Sequence, residues 1–143
     1  MIGIIMSIIA GLSMSLQGVF NTRLGDKIGI WETNVLVQGI GFALTLIIVI
    51  FLGNGDIKNI KNVNKLYLLG GVLGVIIIFT VIKGISSLGP TCAITIILIS
   101  QLTSAAMIDA LGLFDTTPVK FGATKYLGIA VMIIGILIFK WKC

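Results

Sequence analysis

The sequence predicts an all-α membrane protein with five transmembrane helices per chain, two chains pairing antiparallel into a ten-helix inverted-repeat bundle. Three observations carry that prediction. The chain of 143 residues is 57% hydrophobic and only 10% charged, with a mean hydropathy of +1.18. A soluble domain faces water with about 25% charged residues, and this chain has less than half of that. The apolar residues fall in five runs near the length of about 20 residues that crosses the hydrocarbon core. The cationic residues divide evenly between the two faces that five spans define.

Taken in order, the spans cover about residues 2–21, 30–52, 66–86, 90–111 and 122–140 of a single domain, 1–143. The connectors NTRLGDKIG, GNGDIKNIKNVNK, SSLGP and FDTTPVKFGATK are short, turn-rich and hold most of the charge. Helices and closed barrels alone satisfy their backbone in lipid. Barrel strands alternate apolar and polar residues, and runs such as GVIIIF and AITIILI do not. A cleaved signal peptide is not expected at the N-terminus, where a basic leader region and a small-residue cleavage site are missing. Trp31, Tyr67, Tyr126 and Trp141 stand near span ends, where aromatic belts form.

This composition excludes a soluble enzyme or binding module. The net charge of +5 does not point to nucleic acid, because the lysines are scattered between apolar runs. No GxGxxG or P-loop is present, and with no His in the chain no serine has an activating base. Cys92 and Cys143 lack metal-ligand spacing. No metal or other cofactor is expected, and both cysteines are expected as ordinary thiols.

The first span carries Ser13, Gln17 and Asn21 at every fourth position, beside a small-residue stripe of Gly3, Ser7, Gly11 and Gly18 with Ser15 at its edge. The second places Asn34, Gln38, Gly41 and Thr45 on one narrow face, with Glu32 at its mouth. The third contains Gly70, Gly71 and Gly74, and Lys83 is expected to snorkel to the surface. The fourth groups Ser100, Gln101 and Ser104 near the midplane and ends on Asp109; the fifth opens on Lys125 and contains Gly128 and Gly135. Small residues let helices approach closely in lipid, so Gly11, Gly18, Gly70, Gly71, Gly74, Gly128 and Gly135 are read as packing positions. A buried amide without a partner costs a few kcal/mol, so Gln17, Asn21, Asn34, Gln38 and Gln101 are either interhelical glue or the lining of a polar cavity. Asp109 is the one acid well inside a span, but it falls near the membrane surface and is expected to pair structurally with Lys125.

Lys58, Lys61, Lys65, Lys120 and Lys125 lie on the N-terminal side of the membrane; Arg23, Lys27, Lys83, Lys140 and Lys142 lie on the other. Orientation follows an excess of Lys and Arg on the cytoplasmic side, and five against five is no excess. Either a local signal such as the Lys58–Lys65 cluster sets one orientation, or both are made and pair head to tail about an axis in the membrane plane, as inverted repeats do in many carriers.

The pattern QGVFN (17–21), LGGVLG (69–74), LGP (88–90), SQL (100–102), IDALGLF (108–114) and KYLG (125–128) resembles the YdcZ-type small family of the drug/metabolite transporter superfamily over nearly the whole chain. The resemblance implies a multi-pass protein of the bacterial inner (cytoplasmic) membrane. It implies antiparallel dimers of five-helix domains, made from one dual-topology protein, two oppositely oriented paralogues or a fused tandem. It also implies small-molecule transport. Multidrug and guanidinium exporters of the same superfamily carry a first-helix Glu, and the nearest counterpart here is Gln17, which cannot titrate. A neutral, zwitterionic or anionic substrate is therefore expected. The reading is a dual-topology homodimer in the lipid bilayer that moves a small organic solute by alternating access, with Gln17, Asn21, Asn34, Gln38 and Gln101, then Ser13 and Ser104, lining the cavity. The alternatives are a small antiparallel ion channel, or a half-transporter subunit that needs an oppositely oriented paralogue.

Overall fold

The computed structural model describes residues 1–119 and 122–140. Its order is α1 (Ile2–Ile28), α2 (Ile30–Leu52), two 3-10 helices (Ile57–Asn62 and Lys65–Leu69), α3 (Gly70–Leu88), α4 (Pro90–Leu111), a 3-10 turn (Leu113–Asp115) and α5 (Ala123–Lys140). Among the described residues, four helical segments are long and apolar enough to cross a membrane: Ile2–Ile28, Ile30–Leu52, Lys65–Leu88 and Pro90–Leu111. The apolar part of α5, Ala123–Phe139, is shorter, and at 1.5 Å per residue it reaches about 26 Å. Lys120, Trp141, Lys142 and Cys143 lie outside the described residues. The chain divides into two compact units, Met1–Ser87 and Leu88–Cys143.

In the first unit α1 runs on through the polar stretch 21–28, because no residue there breaks a helix before Gly29. The polarity of that stretch marks where the membrane ends, not where the helix ends. Lys27 in the last turn complements the helix dipole. Gly29 makes the reversal alone, at φ 101°, a conformation open to glycine and strained for L-residues. Its N–H donates to the Gly25 carbonyl at 3.0 Å, and its own carbonyl accepts from the Thr33 N–H at 3.1 Å and the Thr33 hydroxyl at 2.8 Å. Two long helices thus meet across one residue with its backbone groups satisfied. The Glu32 carboxylate lies against the Gly29 α-carbon, where a side chain would stand.

α3 supplies the core of this unit. Ile78, Ile82 and Ile85 follow i, i+4, i+7 spacing and are all buried, Ile82 at 2% exposure. They meet the glycines of α1: a Cβ on Gly18 would stand 2.9 Å from Ile85 Cδ1 and 3.1 Å from Val81 Cγ1, and one on Gly25 would stand 3.4 Å from Ile82 Cγ2. In lipid such close approach replaces the hydrophobic drive available in water. Trp31 of α2 stacks on Phe79 of α3, with centroids 4.8 Å apart and planes inclined at 20°.

In the second unit α4 starts with Pro90 at its first helical position, where the missing N–H goes unused. It ends on Gly112 in the left-handed conformation, whose N–H caps the Ile108 carbonyl. The following loop folds back so that the Val119 N–H donates to the Asp109 carbonyl at 2.9 Å, and α5 packs on α4. Cys92 is buried in α4 and disulfide-bonded, which corrects the expectation of an ordinary thiol at that position.

Candidate functional site

Lipid offers polar side chains no partners, so they must find them inside the protein. Several hydroxyls do this locally, by reaching back one turn. Ser7 donates to the Gly3 carbonyl at 2.9 Å, Ser15 to Gly11 at 3.0 Å, Thr22 to Gly18 at 2.8 Å, Thr45 to Gly41 at 2.7 Å and Ser100 to Ile96 at 3.1 Å. An amide has two donors and an acceptor, more than one helical turn can satisfy. The five candidate amides are therefore the groups that have to be accounted for.

Asn34 and Gln38 are brought together. They stand one turn apart on α2, facing α3. Asn34 is 3% exposed, and its Nδ2 donates to the Val75 carbonyl at 2.9 Å. This bond ties α2 to α3 and engages one of the two donors of Asn34. Gln38 is half-buried and lies over Gly74: a Cβ there would stand 3.3 Å from the Gln38 Nε2. Gly74 thus leaves the room that the amide occupies. Trp31, Asn34, Val35, Gln38 and Val75 enclose a cavity of about 340 Å³. A second, of about 360 Å³, lies at the start of α2 between Trp31, Glu32, Val35 and Leu36. The pair forms an open groove along α2 flanked by an aromatic ring, with the Gln38 amide two turns, or roughly 10 Å, beyond Trp31.

The remaining candidates divide. Asn21 is buried in the first unit at 6% exposure, whereas Gln17 and Ser13 on the same helix are exposed. Gln101 and Ser104 are exposed on α4, in the second unit. Asp109 and Lys125 face one cavity of about 320 Å³ between α4 and α5, lined also by Leu102, Ala105, Gly128 and Met132. Of the packing glycines, Gly18 and Gly74 make tight approaches. Gly11, Gly70, Gly71, Gly128 and Gly135 have no described side chain or neighbouring helix within 4 Å of a would-be Cβ. Among the described residues, no three His, Cys, Asp or Glu come together as a metal would require.

Sequence reasoning placed Trp31 in the interfacial belt and missed that it also walls the cavity. The signal was present, since Trp31 lies three and seven residues before Asn34 and Gln38 and so on their face. Its other half was not legible: Val75 contributes a carbonyl and Phe79 a stacking ring, and neither role shows in residue type.

The fold and site define a multi-pass helical membrane protein with two amides set in a mainly apolar cavity of its first unit. A family model described as "Putative inner membrane exporter, YdcZ" matches residues 2–138. The chain belongs to this YdcZ family of the drug/metabolite transporter type and is a multi-pass inner-membrane protein. No curated relative and no solved structure matches it.

Proposed function

We propose that the chain works as a dual-topology antiparallel homodimer that exports a small organic solute by alternating access, and that its fifth helix spans the membrane like the other four. The observation that carries this reading is the half-buried Gln38 amide beside Asn34 in a cavity of about 340 Å³ between membrane-length helices. A cavity of that size suits a small organic molecule, and its amides suit a ligand with hydrogen-bonding groups and no obligatory charge. Gln17 and Gln101 support the dimer. Both are exposed on single membrane helices, and an amide left against lipid costs a few kcal/mol. A second copy would cover them, together with the exposed Ser13 and Ser104. The exposed stripe from Gly41 to Thr45, and Gly11 on α1, would lie in the same interface. Asp109 and Lys125 serve as a structural pair at the membrane surface. The even division of cations supports insertion in both orientations.

Reconstitution of the purified chain in proteoliposomes tests the proposal. A metabolite panel is first screened for thermal stabilisation, and flux of the stabilising solutes is then measured. Saturable flux with competition between solutes is expected. Fast, non-saturating ion conductance would identify a channel instead, and a purified chain that stays monomeric would point to a missing paralogue.

A further inference from the structure

The connector from residue 53 to 69 is not explained by the transport reading. It forms two 3-10 helices, Ile57–Asn62 and Lys65–Leu69, each started by a side-chain cap: Asp56 accepts from the Lys58 N–H at 2.9 Å and Asn64 from the Leu66 N–H at 3.0 Å. Six and five residues are long for this helix type, which rarely exceeds three or four. With three residues per turn, side chains at i and i+3 eclipse, and the sequence follows that period. Ile57 and Ile60 share one face, Lys58 and Lys61 a second, Asn59 and Asn62 a third; Val63, Leu66 and Leu69 continue the apolar period beyond the break. The apolar members are all exposed, Ile57 at 77% and Ile60 at 49%. The one carboxylate in the connector, Asp56, is engaged in its cap.

We propose that this connector is an anionic-phospholipid site, in which Ile57, Ile60, Val63 and Leu66 enter the acyl boundary while Lys58, Lys61 and Lys65 hold the headgroup phosphates. Its location favours a lipid surface over a protein partner. The connector follows the end of one membrane-length helix at Leu52 and runs into the next apolar segment, which begins at Lys65, so both of its ends lie at the membrane face. An apolar stripe beside a cationic one is the pattern of segments that lie in the interface. Lysines flanking such a stripe extend their stems along it and raise their charge to the phosphate level, and Tyr67 stands where interfacial aromatics collect.

The full chain in neutral detergent provides the test. Phosphatidylglycerol should raise its unfolding temperature, whereas phosphatidylcholine with the same acyl chains and water-soluble glycerophosphate should not. Each lysine near an anionic surface contributes about fivefold in affinity. The combined variant Lys58→Gln, Lys61→Gln, Lys65→Gln should therefore bind phosphatidylglycerol about 100-fold more weakly, and the corresponding Lys→Arg variant should retain binding. In liposomes, a nitroxide on Ile60→Cys should collide with oxygen more than with a water-soluble nickel chelate, and one on Asn59→Cys should show the reverse. Equal stabilisation by both lipids, equal stabilisation by glycerophosphate, or an identical collision pattern at the two positions would each overturn the assignment.

Discussion

Replacing Gln38 by Leu separates the cavity's function from its fold. The side chain loses its amide and keeps nearly its volume, so the packing over Gly74, where a Cβ would stand 3.3 Å from the amide nitrogen, survives with little change. Two links between α2 and α3, the Asn34 bond to the Val75 carbonyl and the Trp31–Phe79 stack, are untouched. An incompletely satisfied amide in an apolar setting costs about 1–3 kcal/mol, so removing it should leave stability unchanged or raise it by about 1 kcal/mol. A solute that hydrogen-bonds Gln38 loses that partner, a penalty of about 1–3 kcal/mol, or roughly 5- to 150-fold in flux at 1.4 kcal/mol per decade. The assay pairs detergent unfolding with proteoliposome flux of a stabilising solute. The partner variant Asn34→Leu should show the opposite balance. It breaks an interhelical bond of about 0.6 kcal/mol, at most about 1.7, and should weaken the fold more than it changes the solute's identity. Wild-type flux from Gln38→Leu, at unchanged stability, would remove Gln38 from the solute's path and refute the division of labour between the two amides.

Three further outcomes are expected. Gly18→Leu should destabilise the first unit by about 1–3 kcal/mol, because even a Cβ stands 2.9 Å from Ile85; denaturant unfolding in detergent reads this, and an unchanged midpoint would contradict the α1–α3 packing. Gly11→Leu has no described neighbour within 4 Å to disturb, so it should spare the monomer yet weaken the dimer on cross-linking; a dimer of full strength would exclude this stripe from the interface. Adding lysines at Asn54 and Gly55 loads one face of a balanced chain and should drive a mixed population of reporter fusions into a single orientation; a population that is already single before the change would end the dual-topology proposal.

How much of this was legible differs from residue to residue. α2 and α4 begin at Ile30 and Pro90, and the sequence marked both starts, because Gly29 and the Gly89–Pro90 pair are local breakers whose backbone demands do not depend on neighbours. The continuation of α1 to Ile28 was not legible, since polar residues such as Asn21, Arg23 and Asp26 end a membrane span without ending a helix. The same limit hid the connector: its threefold apolar period is written in the sequence, but only the formation of 3-10 turns lines that period up on one face within each turn.

Composition and run length alone determined that this chain belongs in a lipid bilayer as helices, because about 20 apolar residues and a backbone that must satisfy itself leave no other build. Family membership followed from the same linear string. The tertiary structure decided which amides act alike. Asn34 and Gln38 are chemically similar and one turn apart, yet the first is held by a carbonyl of another helix while the second rests over a glycine at the edge of a cavity. That difference depends on where α3 places Val75 and Gly74, more than thirty residues further along the chain, and no local pattern specifies a contact made across that distance.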